Sequence, residues 1–178
     1  ENTYASFVRM YYQKTFDAML ATPLSLEEVI TGEIVWGATK SVIAAAIMLV
    51  VLSLFGLVAY PWGLLILPLA FLGGLAFGSI GMLFTGIVPG IDTFNLPIFL
   101  FITPMFLFGG TFFPLDNLPA WARELALIFP LTHLVRLTRY FCLGVLRVDL
   151  LWGVTYLAVF AMVCFPLALF AMRRRLIH

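Results

Sequence analysis

Charge is scarce in this chain, and where it is missing says more than how much there is. Asp, Glu, Lys and Arg make up 11% of the 178 residues, and four stretches hold none: Ser41–Leu57, Gly63–Ile91, Thr93–Leu115 and Leu150–Met172. Histidine occurs only as His133 and the terminal His178, so no His pair can hold a metal. Cysteine occurs only as Cys142 and Cys164, too few for a disulfide framework; both read as small packing residues. The acidic residues Asp92, Asp116 and Asp149 fall at the ends of the uncharged stretches, where they cost little as loop residues or helix caps. The interiors therefore lack the carboxylates that an ion path or acid–base catalysis would need. The net charge of +1 leaves no footprint for nucleic acid. What remains is a chain that handles cargo with aromatic and small apolar surfaces or with interfacial groups. That suits an amphiphilic or lipid-linked cargo better than an ion.

Apolar residues fill the gap, at 63% with 18 Phe, far beyond what one water-surrounded core absorbs. A bilayer core takes about 20 apolar residues in helical form to cross. Lipid cannot hydrogen-bond a bare backbone, so runs of this length must be helical. The expected fold is all-α, a polytopic integral membrane protein in one transmembrane domain spanning 1–178. Four spans are expected: A over 33–58, B over 63–88, C over 93–113 and D over 149–172. Span A requires Lys40 to snorkel to the surface. Ala70, Gly74 and Gly78 repeat every four residues in span B, the spacing that lets another helix approach closely.

The segments between spans are patterned too. Over 1–32, Tyr4–Leu20 reads as a helix with Arg9, Gln13, Lys14 and Asp17 on its polar side. Pro23 disfavours helix at Thr22. A new helix starts at Ser25, an N-cap with Glu28 three residues on, preceded by Leu24 and followed by Val29 where a staple would sit. The result is an ordered elbow at the membrane surface, with Glu27 and Glu28 in its first turn able to meet basic groups on a partner. Over 114–148, prolines at 114, 119 and 130 frame two short amphipathic helices. Trp121, Leu125 and Ile128 share a face of the first. His133, Arg136 and Tyr140 recur along the second, with Arg139 on its flank, an arrangement suited to the phosphate or acidic sugar of a cargo and equally to arginines that snorkel to lipid headgroups and anchor the helix. Such helices dip into the interface rather than span. One decoy is set aside: Ala38 and Thr39 separate Gly37 from Lys40-Ser41, so no nucleotide-binding loop exists there. Arg9, Lys14, Lys40 and the three arginines of the tail 173–178 share one side, against Arg123, Arg136, Arg139 and Arg147 on the other. The excess puts both termini in the cytoplasm and the 114–148 hairpin outside.

Two separated motifs resemble a known family. Tyr11-Tyr12-Gln13-Lys14-Thr15-Phe16-Asp17-Ala18-Met19-Leu20-Ala21-Thr22-Pro23-Leu24-Ser25, with Glu27-Glu28-Val29-Ile30 and Gly32-Glu33-Ile34, resembles the elbow of permeases of type-2 ABC exporters, in particular the nodulation-type branch that exports lipo-oligosaccharides. Phe108-Gly109-Gly110-Thr111-Phe112-Phe113-Pro114-Leu115, then Leu118-Pro119, Trp121, Pro130-Leu131-Thr132-His133 and Arg139, resembles the loop before that family's last span. The resemblance implies six spans in the family, of which this chain would be the C-terminal two-thirds. It implies a half-transporter: two permease copies, likewise two ATPase subunits that bind the ATP and Mg, and no cofactor on this chain. The elbow becomes the coupling helix, with Asp17, Thr22, Pro23, Ser25, Glu27 and Glu28 facing the ATPase. The hairpin becomes an outer re-entrant one, in the inner membrane of the cell. Two other functions fit the residues: a membrane anchor that scaffolds another complex, and an enzyme on lipid-linked sugar using His133, Arg136 and Arg139. The last lacks a base or nucleophile.

Overall fold

A computed structural model of the chain describes residues 8–9, 18, 21–88, 93, 96, 98–112, 115, 119–145 and 149–176, the side chains at 98, 175 and 176 excepted. Most of the expected elbow helix with Asp17, the 89–92 turn, most of 113–118, Arg147 and His178 lie outside the described residues. Every regular element among the described residues is helical. In order these are α1 (Leu26–Leu54), a short 3-10 turn (Trp62–Leu65) leading into α2 (Ile66–Ile87), a π turn (Ile98–Ile102) leading into α3 (Thr103–Phe108), α4 (Ala120–Ile128), α5 (Pro130–Leu143) and α6 (Asp149–Leu176).

The chain is a polytopic membrane protein, and three helices are long and apolar enough to cross a bilayer: Leu26–Leu54, Trp62–Ile87 and Asp149–Arg174. Their outward faces carry large apolar residues such as Ile47, Met48, Met162 and Phe170, each more than half exposed, as surfaces that face lipid must. The expected fourth span, 93–113, is represented by the ten-residue apolar helix Phe99–Phe108. It ends at Phe108 because Gly109 closes α3, its N–H returning to the Met105 carbonyl at 2.8 Å, and Gly110 turns the chain at φ +74°. Its widened start has a local cause. Pro104 sits in the first turn of α3 and has no N–H for the carbonyl four residues back, so the preceding turn opens to the π form.

Span A also differs from expectation. The helix that starts at Ser25 does not stop at the membrane surface but continues unbroken to Leu54. The capping box is complete: Glu28 N–H donates to Ser25 Oγ at 3.3 Å and Ser25 N–H donates to Glu28 Oε2 at 2.7 Å. Elbow start and span A are thus one rod. Arg9 pairs with Glu33 at 2.8 Å, tying the N-terminal segment to that rod.

α2 is the central helix, packed along α1 on one side and α6 on the other. Two clusters of buried residues mark its ends. Near the start of α1, Val29, Ile30 and Ile34 meet Met82 of α2 and Ala168 and Met172 of α6. At the opposite end, Leu49, Ile66 and Leu69 meet Leu137 and Phe141 of α5 and Leu157 of α6. Within lipid the gain from such packing is van der Waals contact and not water release, so small residues matter most. A Cβ added at Gly74 would lie 2.6 Å from the Ala38 Cα of α1, and one added at Gly86 would lie 2.9 Å from the Ala171 Cβ of α6. Gly78 is buried on the same helix and Ala70 is half-buried. The sidedness is fixed by contacts: Arg173 reaches Glu27 at 3.8 Å, and Ala59 N–H donates to the Cys142 carbonyl at 2.9 Å. The end of α6 therefore shares a face with the start of α1, while the α1–α2 turn and α5 share the other.

Gly74→Leu should separate α1 from α2 and lower stability by about 1–3 kcal/mol, the usual cost of overpacking. Gly32→Leu, where nothing stands within 4 Å of an added Cβ, is the control. Thermal unfolding in detergent should place Gly74→Leu well below both the parent and the control; equal midpoints would mean that Gly74 faces lipid.

Candidate functional site

The candidate site is the α4–α5 corner together with the first turns of α6. Pro130 opens α5, where its missing N–H costs nothing, and forces the extended conformation of Phe129 that separates the two helices. The last carbonyls of α4 lack the bond from four residues on, Ala126 keeping only that from the Phe129 N–H at 3.1 Å, and the corner meets three of them with side chains. Thr132 Oγ1 donates to the Ala126 carbonyl at 2.5 Å, His133 Nε2 donates to the Leu127 carbonyl at 2.9 Å, and the Tyr156 hydroxyl of α6 donates to the Ile128 carbonyl. His133 also lies against Tyr156, ring centroids 4.3 Å apart and planes tilted by 32°. α5 ends at Gly144, whose φ of +66° admits glycine cheaply, with the Val145 N–H returning to the Tyr140 carbonyl at 3.0 Å.

This geometry divides the four residues expected to act together. His133 is buried and its Nε2 is committed to the backbone of α4. Burial holds its pKa below the ordinary value of 6.5, with the Leu127 carbonyl opposing and Arg136 adding to the depression. Arg139 Nη2 donates to the Gly110 carbonyl at 2.6 Å, so it ties α5 to the end of α3. Arg136 and Tyr140 line two clefts at once. One, of about 510 Å³, runs between α5 and the start of α6 and is completed by Asp149, Trp152 and Tyr156. The other, of about 530 Å³, lies toward α3 and includes Arg123 and Arg139. Asp149 was expected only as a loop or cap residue at the end of a span, and Trp152 and Tyr156 only as span; their spacing of three, then four, places all three on one helix face and was the available signal. On α4, Trp121, Leu125 and Ile128 point outward, while Ala122 and Ala126 make the packing face.

A third cleft, of about 370 Å³, separates α1 from α3. Gly37, Lys40 and Ser41 of α1 line it with Gly74, Gly78 and Gly81 of α2, and Phe101 and Met105 close it. Lys40 Nζ stands 5.7 Å from the Trp36 ring centroid. At the elbow, Thr22, Pro23, Ser25, Glu27 and Glu28 are all exposed beside the buried Val29. Asp17 lies outside the described residues. Among the described residues no group of three His, Cys, Asp or Glu is placed to hold a metal ion.

The family model described as ABC-2 type transporter matches residues 1–143. The chain belongs to the ABC-2 type transporter family. It is 38% identical over 178 residues to Nodulation protein J of Rhizobium leguminosarum bv. trifolii, covering 100% of this chain and 68% of that one. It is 33% identical over 177 residues to Nodulation protein J of Sinorhizobium fredii, covering 99% and 68%. At 25% over 156 residues it also matches Probable multidrug ABC transporter permease YbhR of Escherichia coli, covering 85% of this chain and 41% of that one. No solved structure matches the chain. These relatives put it in the nodulation-type branch of ABC-2 permeases, as a transmembrane subunit of an ABC transporter. Membership implies pairing with an ABC ATPase subunit.

His133 gives a pH signature. Its folded pKa is depressed, so the folded state binds fewer protons than the unfolded state between the two pKa values. The stability contributed is present above pH 6.5, the ordinary value, and is lost as pH falls through the depressed folded value. Thermal midpoints should fall on acidification in the parent, and that part of the fall should vanish in His133→Gln, whose amide can still donate to Leu127. His133→Leu, which leaves that carbonyl unmet, should cost about 1–3 kcal/mol at neutral pH.

Proposed function

We propose that the chain is the permease subunit of an ATP-driven exporter in the cytoplasmic membrane, moving an amphiphilic or lipid-linked cargo outward. It works with a second permease copy and takes its drive from an ATPase docked at the elbow. One observation carries the coupling: α1 is a single helix from the Ser25 cap at the surface to Leu54 across the bilayer. The close approach at Gly74 pins that rod to α2, the centre of the bundle. A displacement imposed at Thr22–Glu28 therefore moves a span directly, with no flexible joint to absorb it.

Exposed Glu27 and Glu28 give the docking end two carboxylates where the helix dipole favours them, facing the basic groups of a partner. The two differ in duty. Glu28 closes the capping box, whereas among the described residues the Glu27 carboxylate meets only Arg173, in a long, exposed contact that contributes little to stability. The cytoplasmic placement of this end follows the excess of Lys and Arg on it. The cargo class rests on the uncharged spans and on the lipo-oligosaccharide exporters that the nodulation-type branch resembles.

Glu27→Lys should leave insertion and folding intact and lower cargo-stimulated ATP hydrolysis by about tenfold, the loss of one charge-assisted contact of roughly 1.5 kcal/mol. The measurement is ATPase activity of the reconstituted permease–ATPase complex beside transport in vesicles. Unchanged coupling in that variant would remove the elbow from the docking surface. A cysteine placed at Asn117, with Cys142 and Cys164 replaced, should react with an impermeant thiol reagent from outside; labelling only from the cytoplasm would reverse the assigned direction.

A further inference from the structure

We propose that the cleft between α5 and the first turns of α6 binds the headgroup of a zwitterionic phospholipid, its phosphate on Arg136 and its ammonium between Asp149 and Trp152. The inference uses the chain's membrane-spanning fold and does not depend on what is transported or in which direction.

The cleft of about 510 Å³ has the size of a small-ligand site. Two of its polar side chains are already engaged: His133 donates to the Leu127 carbonyl, and the Tyr156 hydroxyl donates to the Ile128 carbonyl. The two remaining charges are opposite in sign. Arg136 and Asp149 line the same cleft, yet among the described residues they close no ion pair on each other. A ligand that carries an anion and a cation a few ångströms apart satisfies both at once, and a phosphodiester joined to an ammonium by two carbons is such a ligand. The guanidinium offers phosphate a planar fork of donors. The ammonium meets a carboxylate and the face of Trp152, a residue 72% exposed.

Depth agrees with chemistry. Asp149 is the first residue of a helix that crosses the bilayer, so the cleft sits where headgroups are. Beyond the charged pair, Leu127, Ile128 and Leu137 give the walls apolar surface for the first acyl carbons, and Gly153 lets Leu137 pack close against α6, where an added Cβ would lie 3.2 Å from it. An acidic lipid without an ammonium would leave the Asp149 carboxylate facing negative charge. The cleft therefore distinguishes phosphatidylethanolamine from phosphatidylglycerol.

The test is retention of lipid by the full chain in detergent, read by native mass spectrometry with equimolar phosphatidylethanolamine and phosphatidylglycerol of identical acyl chains. The parent should retain the ethanolamine lipid about fivefold over the glycerol lipid, the discrimination expected of one ammonium site at the interface. Asp149→Asn should bring the ratio to about one, and Asp149→Glu, which keeps the charge, should restore most of it. Arg136→Gln should reduce retention of both lipids. Soluble phosphoethanolamine should displace bound lipid better than inorganic phosphate does. A parent ratio of one, or a preference that survives Asp149→Asn, overturns the proposal. So does displacement by inorganic phosphate or by a neutral oligosaccharide as effective as that by phosphoethanolamine. Each readout is a binding measurement on the permease alone, so a failure here leaves the export reading standing, and a failure of coupling leaves this site standing.

Discussion

Nothing in a bilayer's hydrocarbon accepts or donates a hydrogen bond, so each backbone group that leaves a helix at membrane depth needs a partner from the protein itself. Most of this architecture follows from that requirement. The long runs are helices. Their hydroxyls turn back onto their own helix, as Ser41 does to the Gly37 carbonyl and Thr85 to the Gly81 carbonyl. Where the chain must break, at the end of α4, three consecutive carbonyls are met by Thr132, His133 and Tyr156. Where α3 ends, the carbonyl of the buried Gly110 is met by Arg139. A short polar hairpin is thus rigid at the interface because its breaks are stitched and not because it is large.

The same demand explains why polar residues in the hairpin have structural duties before any ligand arrives. His133 and Arg139 carry chemistry that suits an anionic headgroup, but each is spent on a carbonyl of a neighbouring element. Arg136 and Asp149 are left for the cleft. In open water such a division would be a minor preference, since solvent could serve any carbonyl; at a half-buried interfacial corner it fixes how the helices meet.

Close approach supplies the second constraint. With no water release to drive helices together inside lipid, contact area between backbones must do so. α2 meets α1 at Gly74 and α6 at Gly86, and its two buried clusters lie at opposite ends of the bundle. The rod that begins at Ser25 is held by the first cluster, and α5 by the second. One central helix, α2, therefore holds both the start of α1 and the interfacial α5.

The sequence by itself determined the membrane class, the helical fold and the capped start at Ser25. Uncharged runs, a capping pair three residues apart and prolines between helices act locally and need no partner to be recognised. The row of small residues in span B was equally legible, although which helix each would meet was not: Gly74 faces α1, while Gly86, outside that row, makes the approach to α6. The fusion of elbow and span A was beyond reach, because neither a cap nor an apolar run specifies whether a helix pauses between them. The shortened α3 was hidden behind an uncharged run that gave no weight to Pro104 and Gly109. Only the tertiary structure decided the membership of the candidate site. It bonded His133 and Arg139 to carbonyls far from their own helical turn and brought Asp149 and Trp152 of α6 beside Arg136 of α5. Helical spacing relates residues along one helix; which face of another helix stands opposite is set by packing, and packing is a property of the whole bundle.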